Sequence, residues 1–160
     1  MIKLTDVSKI YKMGSTEIRA LRDIDMHIKK GEFVSIMGPS GSGKSTMLHL
    51  IGVLDSQSKG NIIINDKDVA AMKDEEKTSF RLANLGYVFQ DYALLPEMTA
   101  LENVALPLLM QNIDEKVAYQ KATEALINVG LEKRLYNLPS KLSGGEQQRV
   151  SIAQIGRAHV

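Results

Sequence analysis

Gly38-Pro39-Ser40-Gly41-Ser42-Gly43-Lys44-Ser45-Thr46 is the segment whose residue types and spacing most plainly suit chemistry, and that chemistry is the handling of phosphate. It satisfies the pattern G-x-x-x-x-G-K-[ST] in full. Glycines let backbone N–H groups turn onto an anion, and a helix starting just after the loop adds its positive end. The Lys44 ammonium can then reach terminal phosphates, and the Ser45 hydroxyl can hold Mg²⁺. The plain alternative is a glycine-rich turn with an exposed lysine. Context separates the two, because the phosphate reading needs a buried strand entering the loop and a helix leaving it.

A second cluster is Leu142-Ser143-Gly144-Gly145-Glu146-Gln147-Gln148-Arg149. Ser143 and Glu146 have the spacing of a capping box, which by itself is an ordinary helix start. Two adjacent glycines in a first helical turn cost about 1 kcal/mol each relative to alanine. An anion approaching bare backbone would require them.

The elements that must position these clusters can be read around them. Phe33-Val34-Ser35-Ile36-Met37 is mostly apolar, stops at Gly38, and leads through the loop into Met47-Leu48-His49-Leu50-Ile51. A strand buried on both faces, a loop and a helix form the parallel α/β signature. Ile2 to Val7 and Asp23 to Ile28 alternate apolar with polar residues, which predicts a half-solvated antiparallel flank. Asp55 to Gly60 is a polar turn, Asn61 to Asp68 a strand with a turn at its end, and Ala70 to Leu82 a polar, helix-tolerant stretch. Leu85 to Gln90 reads as a second short buried strand, ended by the glutamine.

From Leu95 to about Leu138 only helices are predicted. Thr99-Ala100-Leu101-Glu102 fits a capping box, and Pro107 is expected to kink or end the helix it starts. Asp114 to Asn128 forms the next helix, with Gly130 as its left-handed cap.

Composition narrows the function classes. The 160 residues are 44% apolar and 24% charged, in the globular range. Twenty Lys+Arg against nineteen Asp+Glu leave a formal charge of +1, so no global field draws the chain to nucleic acid or an anionic membrane. There is no cysteine, and His27, His49 and His159 are scattered, which disfavours a metal site built from them. The N-terminus lacks the apolar core of a secretory signal. The longest apolar run, Val104 to Met110, is interrupted by Pro107 and far short of the roughly 20 residues that cross a bilayer. Any membrane connection is therefore expected to run through a partner.

Leu142 to Gln147 resembles the signature motif of ABC-type ATPases, and with the phosphate loop upstream the resemblance covers Met1 to roughly Ala153. Tyr11 to Leu21, and Gly86-Tyr87-Val88-Phe89-Gln90 followed by Leu94-Leu95-Pro96, are similar to the lipoprotein-releasing and macrolide-export branch. The resemblance implies an α/β P-loop NTPase core with an N-terminal antiparallel β flank and an inserted helical subdomain, incomplete at the C-terminus. It divides the chain into a nucleotide-binding core over 1–94, a helical subdomain over 95–141, the signature and the start of its helix over 142–153, and an unmatched tail over 154–160.

The roles it implies are specific. ATP and Mg²⁺ are the cofactors, held by Gly38, Pro39, Ser40, Gly41, Ser42, Gly43, Lys44, Ser45 and Thr46, with Ser45 and Gln90 on the metal. Tyr11 stacks on adenine, and Gln90 contacts Mg²⁺ and the attacking water and senses the membrane partner. Leu142, Ser143, Gly144, Gly145, Glu146 and Gln147 form the signature, of which Ser143, Gly144 and Gly145 grip the γ-phosphate bound to the opposite subunit. The implied protein is an ATPase that works as a homodimer on an integral-membrane permease to export or extract a substrate. It lies in the cytoplasm on the inner face of the cell membrane, with no nucleic acid involved. An ABC-type ATPase of DNA repair or chromosome maintenance is an alternative, although those carry long insertions between loop and signature. A non-hydrolysing partner of the cell-division type is another, although Lys44, Ser45 and Gln90 are all present.

Two departures from the family pattern stand out. Gln57 replaces a usual proline, which loosens a turn. After Ser151-Ile152-Ala153 the family continues with arginine-alanine, a buried strand ending in aspartate, a catalytic glutamate and a later histidine. Here Gln154-Ile155-Gly156-Arg157-Ala158-His159-Val160 follows, and His159 has the wrong context to replace that histidine. The expectation is a fragment that binds nucleotide weakly, with the apolar faces of Phe33 to Met37 and Leu85 to Phe89 short of neighbours. Ile155 to Val160 resembles a reading frame of a sequencing adapter and is expected to be foreign to the gene.

Overall fold

The structure, a computed structural model, describes residues 1–155. The expectations about residues 156–160, His159 among them, lie outside the described residues. The chain divides into two compact units, Met1–Thr78 and Ser79–Val160.

The first unit is built on a four-stranded antiparallel sheet in the order β2-β1-β3-β4. Strand β1 (Ile2–Met13) turns at Gly14, where φ is +60°, into β2 (Thr16–Ile28). The antiparallel flank is thus present, with strands longer than the alternation of Ile2 to Val7 and Asp23 to Ile28 implied. The extra length comes from cross-strand pairing, Lys9 with Leu21, Tyr11 with Ile18 and Lys12 with Glu17, which a period-2 pattern interrupted by charges does not announce. Strand β3 (Lys59–Ile64) takes the other edge of β1, and the short β4 (Lys67–Asp68) follows a turn at Asn65 and Asp66. Leu4, Val7, Leu21, Ile62 and Ile64 are buried, as is Leu50 of helix α1 (Lys44–Ile51).

Phe33 to Met37 does not form the predicted strand. Phe33 is 98% and Met37 87% exposed. A strand covered on both faces exists by virtue of the ladders at its two edges, and this segment has no ladder partner among the described residues. Leu85 to Gln90 fails in the same way: residues 85–89 carry no strand, Val88 and Phe89 are exposed, and Gln90 lies in a turn. Among the described residues the sheet is antiparallel throughout.

Helix α2 (Asp74–Asn84) runs through the boundary between the units. The second unit packs α3 (Ala100–Met110), α4 (Glu115–Asn128) and α5 (Gly144–Ile155) around a core that includes Leu101, Val104, Ala122, Leu126 and Val150. The Thr99 capping box forms as read: the Glu102 N–H donates to Thr99 Oγ1 at 3.3 Å, and the Thr99 N–H donates to Glu102 Oε2 at 2.7 Å. The Thr99 hydroxyl, then its amide, hold the Glu102 carboxyl below its usual value. Gly130 caps α4 at φ +73°.

Pro107 does not end its helix; α3 continues to Met110. A proline frees the carbonyl four residues earlier from its usual N–H partner, and here that carbonyl belongs to Asn103. Gln154 Nε2 of α5 donates to it at 2.8 Å. The Asn103 side chain, 1% exposed, donates to the carbonyls of Leu95, Met98 and Thr99 at 3.0, 2.9 and 3.0 Å and accepts the Leu95 N–H at 2.8 Å. One buried amide thus closes the loop leading into α3. No described helix is long and apolar enough to cross a membrane.

Candidate functional site

The phosphate loop sits in the first unit as a tight curl ahead of α1. Gly43 precedes the helix at φ +89°, and a Cβ there would lie 2.5 Å from the Ala20 carbonyl oxygen, so both handedness and the β2 wall demand glycine. No side chain caps α1, which leaves its first-turn N–H groups to an external acceptor. Lys44 Nζ donates to the carbonyls of Gly38 at 2.9 Å and Pro39 at 2.7 Å, which keeps the ammonium over the curl. The Ser42 N–H donates to the Pro39 carbonyl at 3.3 Å and tightens it. Ser40, Gly41 and Ser45 are exposed, and Thr46 is half-buried.

An uncapped helix start, a glycine that admits no Cβ and a cation over the loop suit a polyphosphate. For Mg²⁺ the protein offers the Ser45 hydroxyl, a hard oxygen donor. No group of three or more His, Asp or Glu among the described residues could cage a metal. That donor set fits an ion that takes most of its ligands from phosphate oxygens and water.

Tyr11 lies toward the end of β1 in the same unit. Its hydroxyl donates to Asp55 Oδ2 at 2.9 Å, and the Lys9 ammonium stands 4.8 Å from its ring centroid. Lys9 Nζ also donates to Asp55 Oδ1 and to the Ser56 carbonyl, both at 2.6 Å. Partial burial pushes the Asp55 carboxyl up, but the Lys9 ammonium, the Ser56 amide and the Tyr11 hydroxyl outweigh it and hold the group below its ordinary value. The family resemblance points to Tyr11 and to neither Lys9 nor Asp55. The pairing spans 44 residues to Tyr11 and 46 to Lys9, and no short motif marks it.

Gln90 and the signature belong to the second unit. Gln90 is exposed in its turn. Leu142 is buried in the helical core, Gln147 Nε2 donates to the carbonyls of Pro139 and Leu142 at 3.0 and 3.2 Å, and Ser143 is exposed at the start of α5. The capping box is reciprocal: the Ser143 N–H and hydroxyl donate to Glu146 Oε2 at 2.8 and 2.9 Å, and the Glu146 N–H donates to Ser143 Oγ at 3.3 Å. Arg134, which sequence reasoning missed, donates from Nε to Glu146 Oε1 at 2.9 Å. A Cβ on Gly144 would come 3.1 Å from the Tyr92 hydroxyl, so its bareness has a packing reason. Gly145 meets nothing closer than the Arg149 guanidinium at 4.0 Å. Packing within the chain does not explain the second glycine.

The Ser143 amide, the Arg134 guanidinium and the Ser143 hydroxyl lower the Glu146 carboxyl from 4.5 to about 2. A depressed folded-state value means that the ionised cap contributes its full stability above pH 4.5 and loses it as the pH falls toward about 2. We expect the Glu146 side-chain carbonyl, followed by NMR, to titrate with a midpoint near 2, and the amides of the first turn of α5 to shift with it. A midpoint at the ordinary glutamate value would contradict the cap as drawn.

The family model of the ABC transporter matches residues 21–156. The lipoprotein-releasing system ATP-binding protein LolD of Rickettsia typhi is 46% identical over 151 residues, 94% of this chain and 66% of that protein. The macrolide export ATP-binding/permease protein MacB of Bdellovibrio bacteriovorus is 42% identical over 154 residues, 96% of this chain and 23% of that protein. The solved dimer of the ATP-binding cassette MJ0796 in a post-hydrolysis state, bound to ADP and Pi, shares the fold at a TM-score of 0.92 and 46% identity, over 97% of this chain and 68% of that one. The chain therefore belongs to the ABC transporter family, as an ATP-binding domain with the α/β cassette fold. It spans about two thirds of the length of the separate ATP-binding proteins it matches.

Proposed function

We propose that this chain is the nucleotide-binding part of an ATP-binding subunit of the lipoprotein-releasing or macrolide-export type, which binds MgATP and, as the full subunit, hydrolyses it to drive a membrane permease. The observation that carries the reading is the uncapped start of α1 with Gly43 against β2 and the Lys44 ammonium held over the loop. The amides of the curl and Lys44 bind the phosphates, exchanging the Gly38 and Pro39 carbonyls for phosphate oxygens as acceptors of the ammonium. Ser45 offers its hydroxyl to Mg²⁺, which when bound neutralises phosphate charge. Tyr11 presents its ring to the base, and the exposed Gln90 orients water.

Ser143, Gly144 and Gly145 of a second copy complete the site at the γ-phosphate, where the bareness of Gly145 lets the helix start approach the anion. In-line attack of water forms a new P–O bond at the γ-phosphorus and breaks the bond to the β-phosphate oxygen, releasing ADP and inorganic phosphate. We assign the working form to a head-to-tail homodimer, peripheral on the cytoplasmic face of the membrane through its permease. The core runs over 1–94 and the helical subdomain over 95–141. The test is to purify the full-length subunit with and without its polytopic membrane partner: co-purification, together with ATP turnover that responds to the partner, is the expected result. Turnover that responds to DNA and to no membrane protein would overturn the transport reading.

A further inference from the structure

The Tyr11 ring is not a free platform at the end of a strand. Its hydroxyl is anchored on Asp55 Oδ2 at 2.9 Å, and the Lys9 ammonium stands at 4.8 Å from its centroid. The same carboxylate takes Lys9 Nζ at 2.6 Å on its other oxygen, and the Lys9 side chain is only 11% exposed. Such a cation is seldom buried without a partner, so the three groups form a closed triangle in which each fixes the other two. Asp55 itself accepts the Ser56 N–H at 2.7 Å, which sets its carboxylate in the turn. That turn follows α1, the helix whose first residues close the phosphate loop. A side chain read as the base platform is thereby tied through one carboxylate to the element read as the phosphate cradle.

We propose that Asp55 and Lys9 are positioning residues for the Tyr11 ring, so that recognition of the nucleobase, and not of the phosphates, depends on them. This rests on the reading of Tyr11 as the base platform. An aromatic ring stacks well only over a narrow range of offsets and tilts, and a tyrosine held by its hydroxyl keeps one orientation where a phenylalanine would sample several. The Lys9 cation occupies one side of the ring, and the opposite face is the one left to present to a base. The arrangement suits a purine nucleoside triphosphate, in which ring and polyphosphate are engaged together.

Four variants of the full-length subunit test this under non-hydrolysing conditions: Tyr11→Ala, Tyr11→Phe, Asp55→Asn and the double Tyr11→Phe/Asp55→Asn. The probes are MgATP and magnesium tripolyphosphate, which shares the phosphates and lacks the base. Tyr11→Phe and Asp55→Asn are each expected to weaken ATP about 3- to 10-fold, the worth of one hydrogen bond. The double variant should be no worse than either single, and tripolyphosphate should bind all four as it binds the parent. If Tyr11→Ala weakens ATP selectively while Asp55→Asn leaves its affinity unaltered, the positioning role falls and the base platform stands. If Tyr11→Ala leaves ATP affinity unaltered, the platform reading falls and this inference with it. An equal loss of ATP and tripolyphosphate in Asp55→Asn would mark a general structural role and overturn the proposal. Tyr11→Phe, which keeps the Lys9–Asp55 pair intact, guards against a folding defect in Asp55→Asn.

Discussion

Lys44→Ala in the full-length subunit is expected to lower ATP turnover by about 10²-fold or more, the loss typical of removing one preorganised charge from a developing phosphoryl anion. The present partners of the ammonium, the carbonyls of Gly38 and Pro39, lie on an exposed loop, so water replaces the lost donor without a buried group being orphaned. Alanine is also the residue best tolerated in a helix, and position 44 opens α1. Thermal unfolding should therefore change little while phosphate release collapses. Gly43 could not serve this test: it stands against Ala20 and Leu21, and a side chain there would disturb the first unit as a whole. Normal turnover by a well-folded Lys44→Ala protein would remove Lys44 from the site.

What could be read from the chain beforehand divides along the range of the interactions involved. Both capping boxes and the left-handed Gly130 involve residues at most three positions apart or a single φ, and each formed as read. In the loop before α1 only the local part formed: Gly43 stands at φ +89° and the helix follows, but the strand expected to enter the loop did not form. The segments that misled were Phe33 to Met37 and Leu85 to Gln90. Their apolar composition is that of buried strands, but composition records only the wish to be covered. Strand identity comes from partners, and none pairs with them among the described residues. Of the two outcomes expected at Pro107, a kink or an end, the end is not seen, because a side chain 51 residues away from Asn103 takes the freed carbonyl. Lys9, Asp55 and Arg134 were invisible because each is an ordinary polar residue until the fold brings its counterpart near.

The proposed dimer calls for a different substitution. Ser143→Arg should leave nucleotide binding by the isolated subunit intact and weaken ATP-dependent dimerisation by about 100-fold or more, a loss of hot-spot size. The serine stands exposed at the start of α5, and an arginine would put a long side chain where the proposed dimer brings the partner's phosphate. It would also set a cation at the positive end of the helix. The cap hydroxyl is lost as well, at about 1 kcal/mol, but Glu146 keeps the Ser143 backbone amide and the Arg134 guanidinium. The core around Leu126, Val104 and Val150 is not touched. Ser143→Ala separates the two effects, since it deletes the hydroxyl without adding bulk, and it should weaken the dimer far less than arginine does. Sedimentation in MgATP under non-hydrolysing conditions, beside a direct measurement of ATP binding, reads both. A dimer undiminished by Ser143→Arg would mean that the start of α5 does not meet the partner's nucleotide, and the shared-site reading would fall with it.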